Sequence, residues 1–530
     1  ASRSAEEAGA LLSAAPRGEE RLLLEVTEGG RVTYRDVVDV PKYLRGEFAG
    51  PNGEIESHLV EASPRSFVAR IPSDAGRRLS IRRGATVEPD LTVDLGVLAS
   101  RDWSLSRFAP ASTVRPITTS GSPANRLDIL IMGDGYQAAE QTKFNTDATN
   151  LVANFFNLTP YKEYAPFVNT STLFTASTQS GADHPPYSAG CAGGYPPTCC
   201  ADVDAQSDPL AGGAGTFVNT AFDGSFCTYN IQRLLTVDGS KINVVASDVP
   251  NWDKIFVLVN DTTYGGSGGA FATASTHSLS VNVAQHEFGH SFSLLADEYT
   301  SPYPGFPSCS DITSPPCEPN VTNQTVRASI KWNPWIAMAT PVPTPDTAPY
   351  FGVVGLFQGA RYSTTAYYRP KHDCLMNHLA VPFCEICRQA YVLRLYNGGW
   401  GAPAAGIDNI EPGSESPTPG MLSRTFPGSQ TFMATLLAPT TPALTVSWWV
   451  DGVVVPGANA ASYMYTFTST GTHTVELRTH DGTTFANAAM AGTALDSSRL
   501  WTLNITCATD AQAPAVTPPA SVTAVQTICQ

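Results

Sequence analysis

The sequence predicts a multidomain α+β protein, in which an α/β domain with a mixed sheet is flanked on each side by a β-sandwich. The chain has 530 residues, and ordinary domains hold about 100–200, so about two to four domains are expected. Short alternating, β-branched segments bounded by turn residues occur near both ends of the chain. Between them, apolar runs alternate with segments whose apolar residues have helical spacing, which is the pattern of an α/β domain.

Composition and charge exclude several classes of protein. Hydrophobic residues make up 42% of the chain and charged residues 15%, which is typical of a globular protein and not of a disordered one. The formal net charge of −15 argues against nucleic acid or an anionic membrane as the main partner. No apolar run reaches the roughly 18 residues of a membrane-spanning helix. The sequence does not indicate an oligomeric state.

The N-terminal part, residues 1–110, is predicted to form the first β-sandwich. Its strands are expected at Arg21–Val26, Arg31–Val38 and Ser66–Ile71, separated by Gly-Gly and Pro-Asn-Gly turns. A stretch rich in Ser, Pro and Thr follows at residues 104–125 and is predicted to be a linker.

The α/β domain is predicted over residues 120–400. Leu127–Met132 and Lys254–Val259 are apolar runs expected to be buried strands, and Gln137–Phe156 carries apolar residues at helical spacing. Residues 177–227 are rich in Gly, Pro and Cys and are predicted to be an insertion cross-linked by disulfides.

The C-terminal part, residues 415–530, is predicted to form an immunoglobulin-like or PKD-like β-sandwich. The segments Leu444–Val450, Tyr463–Phe467 and His473–Leu477 alternate with turn residues, as strands of such sandwiches do. A second linker, residues 397–420, precedes them.

The cysteines predict a secreted, extracellular protein. Cys309/Cys317 and Cys507/Cys529 lie in Pro- and Ser-rich loops, where a disulfide would stabilise a segment that buries little surface. The count of 11 is odd, so one thiol is left over or has a partner outside the chain. No cysteine precedes Cys191, so any latency imposed by the N-terminal part must come from a carboxylate or the main chain.

The motif that carries chemistry is His286-Glu-Phe-Gly-His290. Two histidines four residues apart share one helical face, so both imidazoles can bind one Zn²⁺. Glu287 is placed to take a proton from a zinc-bound water. The sequence gives no indication of a structural Ca²⁺, although it does not exclude one.

The third zinc ligand is predicted to be Asp297, with Glu298 as the alternative. A helix rises about 1.5 Å per residue, so neither could share a metal with His290 unless the helix ends near residues 293–296 and the chain turns back. If the helix continues, the ligand must come from elsewhere, for example His372 or Asp373.

Three further features accompany the motif. Met376, in Cys374-Leu-Met-Asn377, fits the methionine turn found below some zinc sites. Cys384-Glu-Ile-Cys387 is either half of a second zinc site or part of a disulfide with Cys374, and the lack of a second C-x-x-C favours the disulfide. The glycine-rich segment Gly265–Phe271 is expected to be a surface loop or an edge strand beside the cleft.

These features together resemble the IgA-peptidase family of metzincin-like zinc peptidases. The resemblance covers roughly residues 125–395 and rests on Leu127–Tyr136, His286–Tyr299 and Tyr367–Arg388. It implies a metzincin-like catalytic domain, a methionine turn, zinc and extracellular endopeptidase activity on a protein or peptide substrate. The family usually has glycine where this chain has Ser293, and glycine would permit a left-handed turn there.

The expected reaction is hydrolysis of peptide bonds by a zinc-bound water that Glu287 activates. Tyr368 and His378 are predicted to help hold the oxyanion, with Tyr362 and Tyr367 as further candidates. The alternative is a non-enzymatic adhesin or binding protein with a structural zinc site. The intact Glu287 argues against that alternative, because a structural site has no use for a base.

Overall fold

The computed structural model describes most of the chain in two compact units. The first unit ends at Gly406 and also includes Phe485–Met490, and the second takes Ile407–Thr484 and resumes at Ala491. None of the described helices is long and apolar enough to cross a membrane. The described residues are 3–4, 19–50, 53–62, 65–69, 71–72, 74–83, 89–96, 113–249, 251–303, 306–313, 316–398 and 406–507.

Six strands form the N-terminal part of the first unit. They are β1 (Glu19–Glu28), β2 (Arg31–Pro41), β3 (Tyr43–Ala49), β4 (Ile55–Glu61), β5 (Arg78–Arg83) and β6 (Leu91–Asp94). An antiparallel sheet has the order β2-β1-β5-β6, and β3 and β4 form a separate hairpin. The first two predicted strands are confirmed. The third, Ser66–Ile71, is wrong where it can be compared, because residues 66–69 are irregular.

A six-stranded sheet of mixed direction lies at the centre of the first unit, as predicted. Its order is β11-β12-β10-β8-β9-β7; β12, β10, β8 and β9 run parallel, and the two edge strands are antiparallel to their neighbours. The strands are β7 (Thr113–Thr118), β8 (Leu127–Asp134), β9 (Val168–Phe174), β10 (Lys254–Val259), β11 (Gly266–Ser267) and β12 (Ala272–Ser275). β7 belongs to this sheet, although its residues were predicted to lie in a linker.

The first unit also contains helices and a short hairpin. The helices are α1 (Gln141–Phe155), α2 (Gly239–Ala246), α3 (Ser280–Ser291) and α4 (Glu385–Asn397), and the hairpin is β13 (Phe357–Ala360) with β14 (Ser363–Arg369). α1 confirms the helix expected from the spacing of Gln137–Phe156, since Phe144, Leu151 and Phe155 are buried on one face.

The predicted cross-linked insertion is confirmed by Cys191–Cys199 and Cys200–Cys227, and Cys309–Cys317 is confirmed as well. Cys507 is also disulfide-bonded, and its predicted partner Cys529 lies outside the described residues. The insertion is further held by a buried histidine. His184 Nδ1 lies 2.6 Å from Asp208 and its Nε2 lies 3.0 Å from Asp261.

The second unit consists of two packed sheets. One has the order β15-β21-β20-β17-β18 and the other pairs β16 with β19. Phe432 of the small sheet lies 5.1 Å from Trp501 of the large one, and Trp448 and Tyr465 join the same core. The predicted alternating strands are confirmed. The elements are β15 (Gly420–Phe426), β16 (Ser429–Met433), β17 (Thr445–Val450), β18 (Val453–Val454), β19 (Ser462–Thr466), β20 (Gly471–His480) and β21 (Asp496–Cys507). A short helix, α5 (Ala488–Ala491), belongs to the first unit except for its last residue.

Candidate active site

The motif helix α3 is buried against the central sheet and α1. Phe288 points into an aromatic core and lies 5.3 Å from Phe155 and 5.8 Å from Phe256, measured between ring centroids. Gln285 donates from its side-chain amide to the carbonyl of Phe155. Because α3 is anchored on this face, its opposite face presents His286 and His290 to a shared space, with their Nε2 atoms 3.0 Å apart.

Main-chain carbonyls orient both imidazoles. His286 Nδ1 donates to the carbonyl of Leu375 at 2.9 Å, and His290 Nδ1 donates to the carbonyl of Leu295 at 2.7 Å. A carbonyl can only accept, so each Nδ1 carries a proton, and in the neutral imidazole the Nε2 then offers a lone pair. Two ligand nitrogens are therefore directed at one point, as a metal site requires.

The chain reverses directly after α3. The helix ends at Ser291, and Leu294 takes the left-handed conformation with φ 56°. The left-handed conformation was considered for position 293, where this chain has serine in place of the family's usual glycine. It is found one residue later, at Leu294. The backbone N–H of Leu295 donates to the carbonyl of Gly289 at 3.1 Å, which closes the turn.

The reversal separates the two predicted third ligands. Asp297 Oδ1 lies 3.2 Å from His286 Nε2 and 3.0 Å from His290 Nε2, and its side chain is fully buried. Glu298 lies in a different buried cluster, with Cys374, Cys384 and Cys387. The geometry thus places Asp297 beside both histidines and Glu298 apart from them.

A second carboxylate reaches the histidines from the N-terminal part. Glu47, on β3, has its Oε2 2.7 Å from His286 Nε2 and 3.7 Å from His290 Nε2. Tyr299 donates its hydroxyl to Glu47 Oε1 at 2.8 Å. Sequence reasoning missed Glu47, although one signal was available: Arg45 and Glu47 are two residues apart in an otherwise uncharged strand, which places both charges on one face.

The donor set fits a divalent cation. Glu47, His286, His290 and Asp297 place their ligand atoms within 4.8 Å of one another, and all four side chains are buried. Glu47 Oε2 and Asp297 Oδ1 accept no hydrogen bond. Glu287 Oε1, beside them, accepts none either. Buried carboxylate oxygens and lone-pair nitrogens that face each other need a positive charge between them.

The pKa values of the acids in this cluster depend on burial and on the neighbouring charges. Burial raises the pKa of Glu287 well above its usual range, and the charge of Glu47 raises it further. Burial and Glu47 also act to raise the pKa of Asp297, but His290 and His286 outweigh them and hold it at about 2. A cation among these groups would favour the ionised form of Glu287, the form that acts as a base.

Met376 lies beneath the motif helix. A Cβ on Gly289 would be 2.9 Å from its sulfur, so the methionine turn touches the helix where the motif has glycine. The carbonyl of Met376 accepts the N–H of Glu298 at 2.7 Å. The turn therefore holds both the helix and the returning chain.

The predicted oxyanion residues fall in different places. Tyr362 donates its hydroxyl to Asp297 and accepts from Arg45, so it borders the cluster. Tyr368, on β14, pairs through its backbone with Thr322, and the ring of His378 contacts Asp373. The described contacts of Tyr368 and His378 do not include the cluster.

His372 and Asp373, the distant candidates for the third ligand, also make other contacts. His372 Nδ1 lies 2.5 Å from Asp346, and its ring stacks on Phe351. Asp373 accepts from the backbone N–H of Cys374. The reversal after α3, on which Asp297 and Glu298 depended, makes a distant ligand unnecessary.

The comparison with protein families identifies the chain. The family model described as IgA peptidase M64 matches residues 115–190, 205–352 and 346–394. The chain belongs to the IgA peptidase M64 family. The matched part of this M64 peptidase contains α3, Asp297 and the methionine turn, whereas Glu47 lies before it. No curated protein is matched. M64 proteins are metallopeptidases, and this one carries two buried clusters able to hold a metal ion.

Proposed function

We propose that this M64 peptidase is a secreted zinc endopeptidase. The observation that carries the proposal is the convergence of His286 Nε2, His290 Nε2 and Asp297 Oδ1 beside the buried Glu287 carboxylate. Two imidazoles and one carboxylate are a usual ligand set of catalytic zinc, which leaves a position for water. The disulfides Cys191–Cys199, Cys200–Cys227 and Cys309–Cys317 support secretion.

The residues divide the work. Zinc held by His286, His290 and Asp297 would supply Lewis acidity and lower the pKa of a bound water. Glu287 takes the proton from the attacking water and later gives it to the leaving amine. Tyr362 has its hydroxyl at the edge of the cluster. It is proposed to stabilise the oxyanion that forms on the substrate carbonyl, in place of the predicted Tyr368 and His378.

The substrate is proposed to lie extended along the edge strand β11. Gly268, which follows β11, already exchanges two backbone hydrogen bonds with Arg45, of 2.9 and 2.8 Å. An edge that pairs with one extended segment can pair with another extended segment in its place. This would place the scissile bond over Glu287, because Gly268 lies against that carboxylate.

The test is Glu287→Gln, assayed on a reduced and alkylated protein substrate. Both the unsubstituted chain and a Glu47→Ala chain serve as backgrounds, because Glu47 fills the cluster. We expect loss of about 10²–10⁴-fold in rate, which is typical of a lost general base, with zinc content unchanged. Glu476→Gln, in the second unit, is the matched control. Chelator-insensitive cleavage, or full activity of the Glu287 variant, would refute the role proposed for the metal or for Glu287. The absence of any cleavage from both backgrounds would favour the non-enzymatic alternative.

A further inference from the structure

Three cysteines and one glutamate form a second buried cluster. Cys374, Cys384, Cys387 and Glu298 place their ligand atoms within 4.8 Å of one another. All four are buried, with exposed fractions of 0, 2, 1 and 0%. The expected disulfide with Cys374 is not formed, and all three cysteines are free thiols.

The sulfur separations suit a metal better than a disulfide. Cys387 Sγ lies 3.6 Å from Cys374 Sγ and 3.5 Å from Cys384 Sγ. Sulfurs at the corners of a tetrahedron around zinc, with Zn–S of about 2.3 Å, are about 3.8 Å apart. Disulfide sulfurs are about 2 Å apart. An odd number of thiols also cannot be used up by pairing.

An unsatisfied oxygen of Glu298 supports a cation independently of the cysteines. Glu298 Oε1 accepts from Asn320 Nδ2 at 2.9 Å and lies 3.3 Å from Cys387 Sγ. Its Oε2 is buried and has no hydrogen-bond partner. A buried carboxylate oxygen without a partner is costly, and a metal ion would remove that cost.

We propose that Cys374, Cys384, Cys387 and Glu298 bind a structural Zn²⁺. Three thiolates and a carboxylate complete a closed tetrahedral set with no position for water. The site would tie the chain that returns after α3 to the methionine turn and to the start of α4. It would lie behind the active site, because Glu298 follows Asp297, and Cys374 precedes the carbonyl that holds His286.

Metal analysis of the full chain tests the proposal. We expect two zinc equivalents, one lost in Cys384→Ser/Cys387→Ser and the other lost in His286→Ala/His290→Ala. With Co²⁺ in place of zinc, thiolate-to-metal absorption in the near ultraviolet should persist in the histidine variant and vanish in the cysteine variant. Glu385→Gln, inside the same C-x-x-C segment but paired with Lys371, is the matched control.

Measurements on the unsubstituted chain cover the case in which the cysteine variant does not fold. X-ray absorption should show zinc–sulfur distances of about 2.3 Å. Alkylation in denaturant and chelator, without reductant, should label three cysteines. A single zinc equivalent with only nitrogen and oxygen neighbours, or the labelling of one cysteine only, would overturn the proposal.

A different observation concerns the strand that covers the active site. β3 pairs with Gly268 at the edge of the central sheet through Arg45. Arg45 and Glu47 are two residues apart and so share one face. Arg45 Nη1 lies 2.9 Å from Asp297 Oδ2, while Glu47 reaches the histidines.

The hairpin is well anchored around these charges. Phe48 is 1% exposed and packs against Tyr264, and Arg233 pairs with Glu56 at 2.6 Å. The segment thus follows the edge on which a substrate is proposed to lie. Its carboxylate, 2.7 Å from His286 Nε2, would take a position on a metal held by the histidines that water would otherwise use.

We infer that β3 holds the enzyme latent, with Glu47 as a ligand in place of the catalytic water. This inference rests on the proposed function. It takes up one of the two alternatives expected from the sequence, a carboxylate or a main-chain block, because no cysteine precedes Cys191. Glu47→Ala should therefore raise the cleavage rate at least tenfold, whereas Glu61→Ala, at an exposed position of the same hairpin, should not.

A second measurement is independent of peptidase activity. Acetohydroxamate should perturb the visible spectrum of the Co²⁺-loaded Glu47→Ala chain at concentrations that leave the unsubstituted chain unchanged. If acetohydroxamate binds but no cleavage appears, the proposed function fails and the blocking role of Glu47 stands. If Glu47→Ala changes neither binding nor cleavage, or loses the metal, Glu47 is not a removable block.

Discussion

The catalytic carboxylate lies where a side chain at residue 268 would have to go. A Cβ on Gly268 would be 1.6 Å from Glu287 Oε2 and 2.0 Å from its Cδ. The φ of Gly268 is not in the left-handed region, so alanine costs no backbone strain at this position. Gly268→Ala is therefore predicted to act through Glu287.

The size of the effect follows from the contact. Non-bonded carbon–oxygen pairs approach to about 3.3 Å, so the carboxylate oxygen must withdraw by about 1.7 Å. A long side chain can make that shift by rotation, so the fold should survive. Misplacement of a catalytic group by about 1 Å can cost about 10²-fold, so we expect kcat to fall by at least that much.

The assay compares Gly268→Ala with the parent in the Glu47→Ala background, so that the block by β3 does not mask the change. Steady-state cleavage of a peptide gives kcat and KM, and metal analysis gives the zinc content. Gly352→Ala is the matched control, because nothing lies within 4 Å of its added Cβ.

The reasoning is refuted if Gly268→Ala keeps the kcat of its parent while it folds and binds zinc. A rise in KM with kcat unchanged would also count against it, because the damage would then lie in substrate pairing along β11 and not in the base.

The remaining predictions concern ligands, packing and pH. Asp297→Ala should lose the active-site metal and keep thiolate-to-cobalt absorption, whereas Glu298→Ala should do the opposite. If both variants keep the active-site metal, the assignment of Asp297 is wrong. Gly289→Ala brings a Cβ to 2.9 Å from Met376 Sδ and should lower the free energy of unfolding by about 1–3 kcal/mol in urea titrations, while Gly482→Ala, with open space around it, should not. Burial lowers the pKa of His184, but its two aspartate partners raise it by more, so the folded pKa exceeds the ordinary value. The stability it contributes is then full below about pH 6.5 and is lost as pH rises through the folded pKa. The unfolding free energy of the unsubstituted chain minus that of His184→Asn should thus shrink as pH rises above about 6.5, and a constant difference would contradict the shift.

Local patterns in the sequence determined much of this protein. Four-residue spacing alone puts His286 and His290 on one helical face, since it depends only on the pitch of a helix. Apolar runs predicted β8 and β10, because a parallel strand buried on both faces is an almost continuous run of apolar residues. Cys309 and Cys317 paired as expected, since they are close along the chain.

Predictions failed where the sequence offered no local signal. Residues 66–69 have strand-like composition but no strand conformation, because pairing depends on neighbours from elsewhere in the chain. β7 lies in a stretch rich in Ser, Pro and Thr and still joins the central sheet through β9. A disulfide was expected among Cys374, Cys384 and Cys387. Only their arrangement around Glu298 distinguishes a disulfide from a metal site.

The tertiary structure alone decided which of two adjacent acids faces the histidines. Asp297 and Glu298 are neighbouring acids at nearly the same distance from His290 along the chain. The left-handed turn at Leu294 directs them into different clusters. It also decided that Glu47, far away in the sequence, completes the active-site cluster. Residue types and spacings set which groups can bind a metal. Which of them meet depends on chain reversals and strand docking, and these follow from the packing of the whole unit.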